Sequence, residues 1–194
     1  MRFVKPVHPA VDSSISSRKG KITRLRVLAL PRTASRGVLL AGGVAYSCVL
    51  GRSGIVARKR EGDGGTPRAR LRLRYVIQRL DRGPRIRSLL PQRAARPDEA
   101  WCDDVNDRRY NRLMRGVSTA CTERLWRQDR LYDVVVPLGW NDGPVVRGRG
   151  SAIFWHVCRK EGSPTEGCIA VRPEIFRKLL YRLSRRALMV VGPA

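Results

Sequence analysis

Acidic, lysine, histidine and aromatic side chains are all scarce in this chain. Its 194 residues include 16 Asp and Glu against 40 Lys and Arg, 34 of them Arg, for a net charge of +24. Such a surface attracts anionic envelope polymers, lipids or nucleic acid, although an evenly basic surface can also reflect coding bias. Aromatic residues make up only 6% of the sequence, and no zinc-finger spacing or basic arm with heptads is present. We therefore expect no specific nucleic-acid recognition.

Cysteine is present without any metal-binding or redox pattern. The five cysteines are Cys48, Cys102, Cys121, Cys158 and Cys168, and no two form a Cys-x-x-Cys pair. A structural zinc site and a thioredoxin-type motif are therefore disfavoured, and we expect neither a metal nor a cofactor. For Cys48 and Cys121 the preferred interpretation is packing as small apolar side chains.

Long hydrophobic runs are also absent. The only candidate, Gly37 to Gly51, falls short of the ~20 apolar residues of a membrane-spanning helix and is interrupted by Gly42-Gly43. It reads better as two strands, and we expect no transmembrane segment. Some 36 largely polar and basic residues precede it, so no ordinary signal peptide is recognisable.

What is present predicts one mainly β domain. Residues 1–20 are polar and basic and predict a disordered arm, and residues 21–194 predict a single domain, which we expect to be a monomer. Three short strands are predicted between Ile22 and Leu50, another from Leu71 to Leu80, and the clearest from Leu131 to Trp140, with a bulge or end at Pro137. These segments favour a β-sandwich or barrel of short strands.

One or two helices complete the expected fold. The strongest begins at Pro173 and places four apolar side chains on one face at i, i+3, i+4 and i+7: Phe176, Leu179, Leu180 and Leu183. A second, short helix is predicted from about Asp107, and Leu188 to Val191 predicts the last strand.

The most informative stretch is residues 150–170, GSAIFWHVCRKEGSPTEGCIA. It predicts a β-hairpin turning at Gly162, in which symmetric pairing puts His156 directly opposite Cys168. Cross-strand Cβ atoms lie roughly 4.5–5.5 Å apart, within reach of an imidazole and a thiol, so the pair suits a base and a nucleophile. The other histidine, His8, lies in the arm. Cys158 shares a strand face with His156 and is interpreted as packing.

Four ordered motifs resemble the YkuD-type L,D-transpeptidase catalytic domain, in the subgroup that carries GSAIF-x-H and TxGC. The matching segments run from about Ile22 to Val191 and comprise Lys59 with Glu61-Gly62-Asp63-Gly64 and Thr66-Pro67, Trp101-Cys102-Asp103-Asp104 with Tyr110-Asn111, Gly150 to His156, and Thr165-Glu166-Gly167-Cys168. The resemblance makes residues 21–194 an L,D-transpeptidase-like domain.

The resemblance implies a bacterial cysteine acyltransferase of peptidoglycan. Cys168 would form a thioester with a stem peptide and pass the acyl group to an amine, with His156 as base and the N–H groups of Gly167 and Cys168 as oxyanion donors. It also implies a periplasmic or cell-envelope location. Five further residues are candidates for substrate binding, although a scaffold role is favoured for the last two and for Asp104: Ser151, Arg149, Thr165, Asn111 and Tyr110.

The chain departs from the commoner family form at three positions. Glu166 stands for a histidine, Ala170 for an arginine or asparagine, and Ala69 for a glycine. These departures leave the donor contacts and the acceptor open. A Cys/His hydrolase that trims stem peptides, or an L,D-carboxypeptidase or amidase, therefore remains an alternative, as does a non-catalytic basic protein of the envelope or of nucleic acid.

Overall fold

The computed structural model of the protein describes residues 21–116, 122–158 and 162–193. The predicted arm, residues 1–20, and Cys121 lie outside these ranges. The described chain is mainly β, with one α-helix and curled multi-stranded sheets, which confirms the predicted fold class. None of its described helices is both long and apolar enough to cross a bilayer.

The described residues form fifteen strands, one α-helix and one short 3₁₀-helix, Leu80–Arg82. The strands of the ten-stranded main sheet are, in chain order, β1 Ile22–Leu30, β2 Thr33–Ala41, β3 Val44–Val49, β6 Arg70–Arg72, β7 Val76–Gln78, β8 Gln92–Ala94, β12 Val134–Pro137, β13 Phe154–Val157, β14 Ile169–Val171 and β15 Leu183–Val191. Two small sheets contain β4 Ile55–Val56 with β5 Thr66–Pro67, and β9 Glu99–Cys102 with β10 Leu113–Arg115 and β11 Thr122–Arg124. The helix is α1, Pro173–Arg182.

The three strands predicted between Ile22 and Leu50 are present and form an antiparallel meander. Gly42 and Gly43 make the turn between β2 and β3 with φ values of 55° and 78°, a conformation that glycine adopts without steric cost. Leu25, Val27 and Leu39 are fully buried and point into the main core, whereas the arginines of β1 point outward. Alternation along the strands therefore separates the core from a basic outer face.

Helix α1 begins at Pro173, as predicted, and buries Phe176, Leu179 and Leu180 completely. Burying a side chain of this size contributes roughly 1.5–3 kcal/mol. The prediction was wrong for Leu183, which has an extended conformation and begins β15. Its backbone N–H still bonds to the carbonyl of Leu179, so the same leucine ends the helix and enters the core.

Two other predictions need correction. The segment Leu71 to Leu80 is not one strand, because β6 pairs with β15 at one edge of the main sheet while β7 pairs with β12 near the other. The helix predicted from Asp107 is a series of turns. There the Asp107 carboxylate accepts the backbone N–H of Arg109 at 2.7 Å, a local bond that competes with helix formation.

The centre of the main sheet separates two cores. In the order β3, β14, β13, β12, β7, alternate residues face opposite ways. Trp155 and Ile169 point into the main core under α1, whereas Phe154 and Cys168 point into a second core. Pro137 is the last residue of β12, so its predicted strand end is confirmed. The second core holds both residues expected to carry out the chemistry.

Candidate active site

Cys168 lies directly before β14 and is only 7% exposed. Its sulfur accepts the backbone N–H of Phe154 at 3.3 Å and donates to the carbonyl of Ala152 at 3.3 Å. Thr165 fixes the preceding turn, because its hydroxyl donates to the Cys168 carbonyl at 2.7 Å and accepts the Gly167 N–H at 3.3 Å. The thiol is therefore held in a defined orientation.

His156 and Cys168 share a sheet face, but not as the predicted hairpin. Strands β13 and β14 are parallel, and His156 pairs with Ala170 rather than with Cys168. The chain reverses twice between them because the returning segment runs beside the end of β3, where Thr165 exchanges backbone bonds with Leu50 and Arg52 at 3.0 and 2.8 Å. Cys168 thus lies one strand across from His156 and two residues along. Strand geometry gives a Cα separation of about 8 Å for this offset.

The imidazole of His156 has one defined tautomer. Its Nδ1 lies 2.8 Å from the backbone carbonyl of Val157. A carbonyl only accepts hydrogen bonds, so Nδ1 carries the proton and Nε2 is the acceptor. That is the form in which a histidine can remove a thiol proton.

Burial keeps both reactive groups neutral at rest. It raises the pKa of Cys168 to about 12, against a smaller opposite effect of the Phe154 N–H. It lowers the pKa of His156 to about 4, although the bond to Val157 acts in the other direction. At neutral pH the pair is therefore a thiol and an imidazole.

A chain of three further residues, without a recognisable sequence motif, stands behind the imidazole. The ring of Tyr132 meets that of His156 edge to face at 5.2 Å, and its hydroxyl bonds to Glu123. Glu123 in turn pairs with Arg127 at 3.0 Å. Burial, and then the charges of Cys168 and Glu123, raise the pKa of Tyr132 well above its usual value. This phenol therefore stays protonated and packs as a wall of the site.

The second core opens into a cleft of about 380 Å³ that exposes one side of this arrangement. Four of the chain's 16 acidic residues line it: Glu61, Asp103, Glu123 and Glu166. Arg127 is the positively charged residue among those that line the cleft. In a protein of net charge +24, this cleft has the opposite sign to the surface around it.

Asp103 is the least compensated of these carboxylates. One of its oxygens is buried without a hydrogen-bond partner. Burial raises its pKa, and the nearby charges of Glu61 and Asp104 raise it further. A positively charged group entering the cleft would relieve this repulsion.

Of the predicted substrate-binding residues, Ser151 and Thr165 line the cleft. The hydroxyl of Ser151 donates to Glu61 at 2.7 Å, and the hydroxyl of Tyr110 donates to the same oxygen. Tyr110 itself does not line the cleft within the described chain. Arg149 is exposed on a separate surface beside Trp140, whose indole N–H donates to its carbonyl at 2.9 Å. Glu61, to which the sequence assigned no role, is the acceptor that joins these groups.

Asn111 forms hydrogen bonds with several neighbouring segments of the site. Its amide nitrogen donates to the carbonyls of Trp140 and Asn141 at 3.0 and 2.6 Å. Its oxygen accepts the indole N–H of Trp101 at 2.9 Å and the backbone N–H of Ala152 at 3.2 Å. These bonds agree with the favoured scaffold role. One of these bonds is made to Ala152, whose carbonyl accepts a hydrogen bond from the Cys168 thiol.

The Glu61–Asp63 loop is closed by its own side chains. Lys59, which is buried, pairs with Asp63 at 2.5 Å, and Asp63 also accepts the N–H groups of Arg60 and Gly65 at 2.7 and 2.8 Å. Burial alone would raise the pKa of Asp63, but these bonds together lower it. The loop thus has a fixed shape and carries Glu61 to the cleft.

The YkuD family, described as an L,D-transpeptidase catalytic domain, matches residues 32–191 of the chain. The chain belongs to the YkuD family. Searches among curated proteins and among solved structures gave no match. The match covers both Cys168 and His156 and connects the cleft to peptidoglycan chemistry.

Two of the departures from the commoner YkuD form, Glu166 and Ala170, lie near Cys168. Glu166 is exposed at the rim of the cleft and forms an ion pair with Arg52. Ala170 is buried beside His156, and its methyl group leaves space where a longer side chain would fill the cleft. Cys158 also lines the cleft, and burial raises its pKa. Among the described residues, no group of three His, Cys, Asp or Glu could hold a metal ion.

Proposed function

We propose that this YkuD-family protein is an L,D-transpeptidase with Cys168 as nucleophile and His156 as general base. The observation that carries the proposal is the thiol held between the Phe154 N–H and the Ala152 carbonyl, on the sheet face of an imidazole whose tautomer is fixed. Because peptidoglycan lies outside the cytoplasmic membrane, we propose a periplasmic or cell-envelope location for the reaction.

The first half of the reaction forms a thioester. His156 Nε2 takes the thiol proton as sulfur attacks the carbonyl carbon of the third stem-peptide residue. The C–N bond to the terminal D-alanine then breaks, and the imidazolium gives its proton to the leaving amine. A pKa of about 4 for His156 opposes the first proton transfer and favours the second, because the transient imidazolium is then a strong acid.

Backbone N–H groups stabilise the intermediate oxyanion in this proposal. Gly167 has a φ of 132°, and a Cβ there would lie 2.8 Å from the Gly65 carbonyl oxygen, so only glycine fits. Its N–H makes a long bond to the Thr165 hydroxyl at 3.3 Å, from which it can turn toward a stronger, charged acceptor.

The acidic lining of the cleft supports an amine as the acceptor. An ammonium group is attracted by Glu61 and Asp103, the pair whose mutual repulsion is not compensated. The ammonium releases one proton to solvent, and the neutral amine attacks the thioester. His156 Nε2 takes the second amine proton and delivers it to the departing sulfur, so that the C–S bond breaks and the thiol is restored. Water in place of the amine would give the hydrolase.

The proposal is tested with a disaccharide-tetrapeptide and mass spectrometry of the products. Wild-type protein is expected to give cross-linked dimers and free D-alanine, and Cys168→Ala to give neither. Cys158→Ala is the matched control, because it removes another thiol of the same cleft and is expected to keep the activity. Trimmed monomer without dimer would favour hydrolysis, and activity of Cys168→Ala would overturn the proposal.

A further inference from the structure

The outer face of β1, β15 and β6 carries arginines in two columns. Arg26 and Arg70 lie on either side of Val190 in one row of the sheet. Arg24 and Arg72 lie on either side of Leu188 in the next row. The aliphatic side chains along β15 therefore form a stripe between the two columns of arginines.

These strands form a cavity of about 500 Å³, which we call the arginine groove; it is lined by Arg24, Arg26, Arg68 and Arg70 together with Val190 and Pro193. Within the ranges that the structure describes, no carboxylate forms an ion pair with any of the four arginines. The Nε of Arg26 is buried and has no hydrogen-bond partner. Unlike Arg79 or Arg127, which pair with carboxylates, these guanidinium groups are left to an external anion.

We propose that the arginine groove binds a linear phosphodiester polymer that lacks bases, such as a polyol-phosphate chain. Guanidinium groups match phosphate geometry and remain charged at all relevant pH values. Successive arginines of one column lie roughly 7 Å apart along the strand, and the two columns lie about 10 Å apart across two strand spacings. A chain lying along β15 could thus place one phosphate after another between the columns.

The lining of the groove selects among polyanions. Its side chains are arginine, alanine, valine and proline, and none is an aromatic ring on which a base could stack. The aliphatic floor at Val190 and Pro193 suits the carbon segments between phosphates. Single-stranded nucleic acid gains much of its affinity from stacking, so a polymer without bases fits this groove better.

The groove is separate from the catalytic cleft. It lies over β6, β15 and β1 at one edge of the main sheet, whereas the cleft lies over β13 and β14 near the centre of the sheet, and the two share no lining residue. Binding there would hold the enzyme on an envelope polymer while leaving the cleft free. The inference therefore does not depend on acyl transfer.

The test measures binding of a fluorescent glycerol-phosphate oligomer to the full chain at several salt concentrations. The variant Arg24→Gln/Arg70→Gln removes one exposed arginine from each column, and Arg108→Gln/Arg177→Gln removes the same charge from exposed positions outside the groove. The groove variant is expected to bind about tenfold more weakly, with a log–log salt slope smaller by roughly 1 to 2. The control variant and Cys168→Ala are expected to bind within about twofold of wild type.

Three results would contradict the inference. Equal losses in the two double variants would show attraction by overall charge alone. Tighter binding of a single-stranded oligonucleotide of equal charge would identify nucleic acid as the occupant. Equal competition by polyglutamate would remove the preference for phosphate. Thermal melting of each variant separates loss of binding from loss of folding. The single change Arg68→Gln provides a second groove variant for the same comparison.

Discussion

The side-chain oxygen of Asn111 lies 3.2 Å from the backbone nitrogen of Ala152. Ala152 has a φ of 51°, a left-handed conformation that is uncommon outside glycine. In this conformation its carbonyl accepts the thiol of Cys168 at 3.3 Å. We therefore propose that Asn111 positions the thiol of Cys168 through the backbone of Ala152.

Replacing this asparagine tests that relationship. Asn111→Ala is expected to slow thioester formation at least tenfold and to lower the free energy of unfolding by about 1–3 kcal/mol, because buried bonds are lost. Asn111→Asp keeps the acceptor oxygen and is expected to recover part of the rate. Asn106→Ala, at an exposed position, is the control. An unchanged rate of thioester formation in Asn111→Ala would contradict the assignment.

The neutral state of His156 and Cys168 predicts the pH dependence of thiol reactivity. In the free enzyme, alkylation of Cys168 by iodoacetamide should be slow at neutral pH and increase steadily up to pH 10, because the pKa of the thiol is about 12. A thiolate–imidazolium pair would instead react fast over a plateau extending to low pH. Alkylation quenched at a series of times and followed by mass spectrometry distinguishes the two curves. The Cys168→Ala variant gives the signal of the other thiols, which is subtracted.

His156 also makes stability depend on pH. Its pKa falls from 6.5 to about 4 on folding, so the unfolded chain binds the extra proton between these values. The contribution of His156 is thus complete above pH 6.5, falls as the pH drops toward 4, and amounts to about 3 kcal/mol. Denaturant unfolding at both ends of this range should show that loss in wild type and a smaller one in His156→Gln. Equal losses would contradict the burial of a neutral imidazole.

Gly167 and Gly62 make a matched pair of glycine substitutions. Both have positive φ, at 132° and 71°, but only at Gly167 would a Cβ meet the backbone, 2.8 Å from Gly65. Gly62→Ala should cost about 1 kcal/mol of stability and leave thioester formation nearly unchanged. Gly167→Ala should cost about 1–3 kcal/mol and reduce thioester formation at least tenfold. Comparable rates in the two variants would argue against an oxyanion site at Gly167.

The acidic cleft predicts a separation between acceptor and donor kinetics. Asp103→Asn should raise the KM for an amine acceptor severalfold while the rate of thioester formation changes less than about twofold, since the donor reaction needs no cation in the cleft. Asp98→Asn, an exposed acidic position outside the cleft, supplies the control. An equal effect of Asp103→Asn on both half-reactions would show a general structural role.

Much of this arrangement follows from local sequence, and the rest depends on distant pairing. Apolar alternation and the Gly42-Gly43 pair predicted the first three strands, and Pro173 predicted the start of the helix. The parallel pairing of β13 and β14 was not predictable from residues 150–170, because Thr165 bonds to Leu50 and Arg52, just after β3, and these bonds accompany the reversal of the chain. A symmetric hairpin was the simpler local solution.

The electrostatics of the site were equally non-local. His156 and Cys168 were identified from the scarcity of histidine and from the motifs, but their neutral state follows from burial by β12 and by Tyr132. Glu123, Arg127 and Tyr132 belong to no motif, and only folding brings them behind His156. The acidic lining likewise collects residues from four separate segments of the chain.

The intact mass of the protein, taken within seconds of mixing with tetrapeptide donor and quenching in acid, tests the central claim most directly. We expect an adduct equal to the donor minus its terminal D-alanine, located on Cys168 by peptide mapping and removed by an added amine. No adduct in wild type, or an adduct that persists in Cys168→Ala, would contradict it.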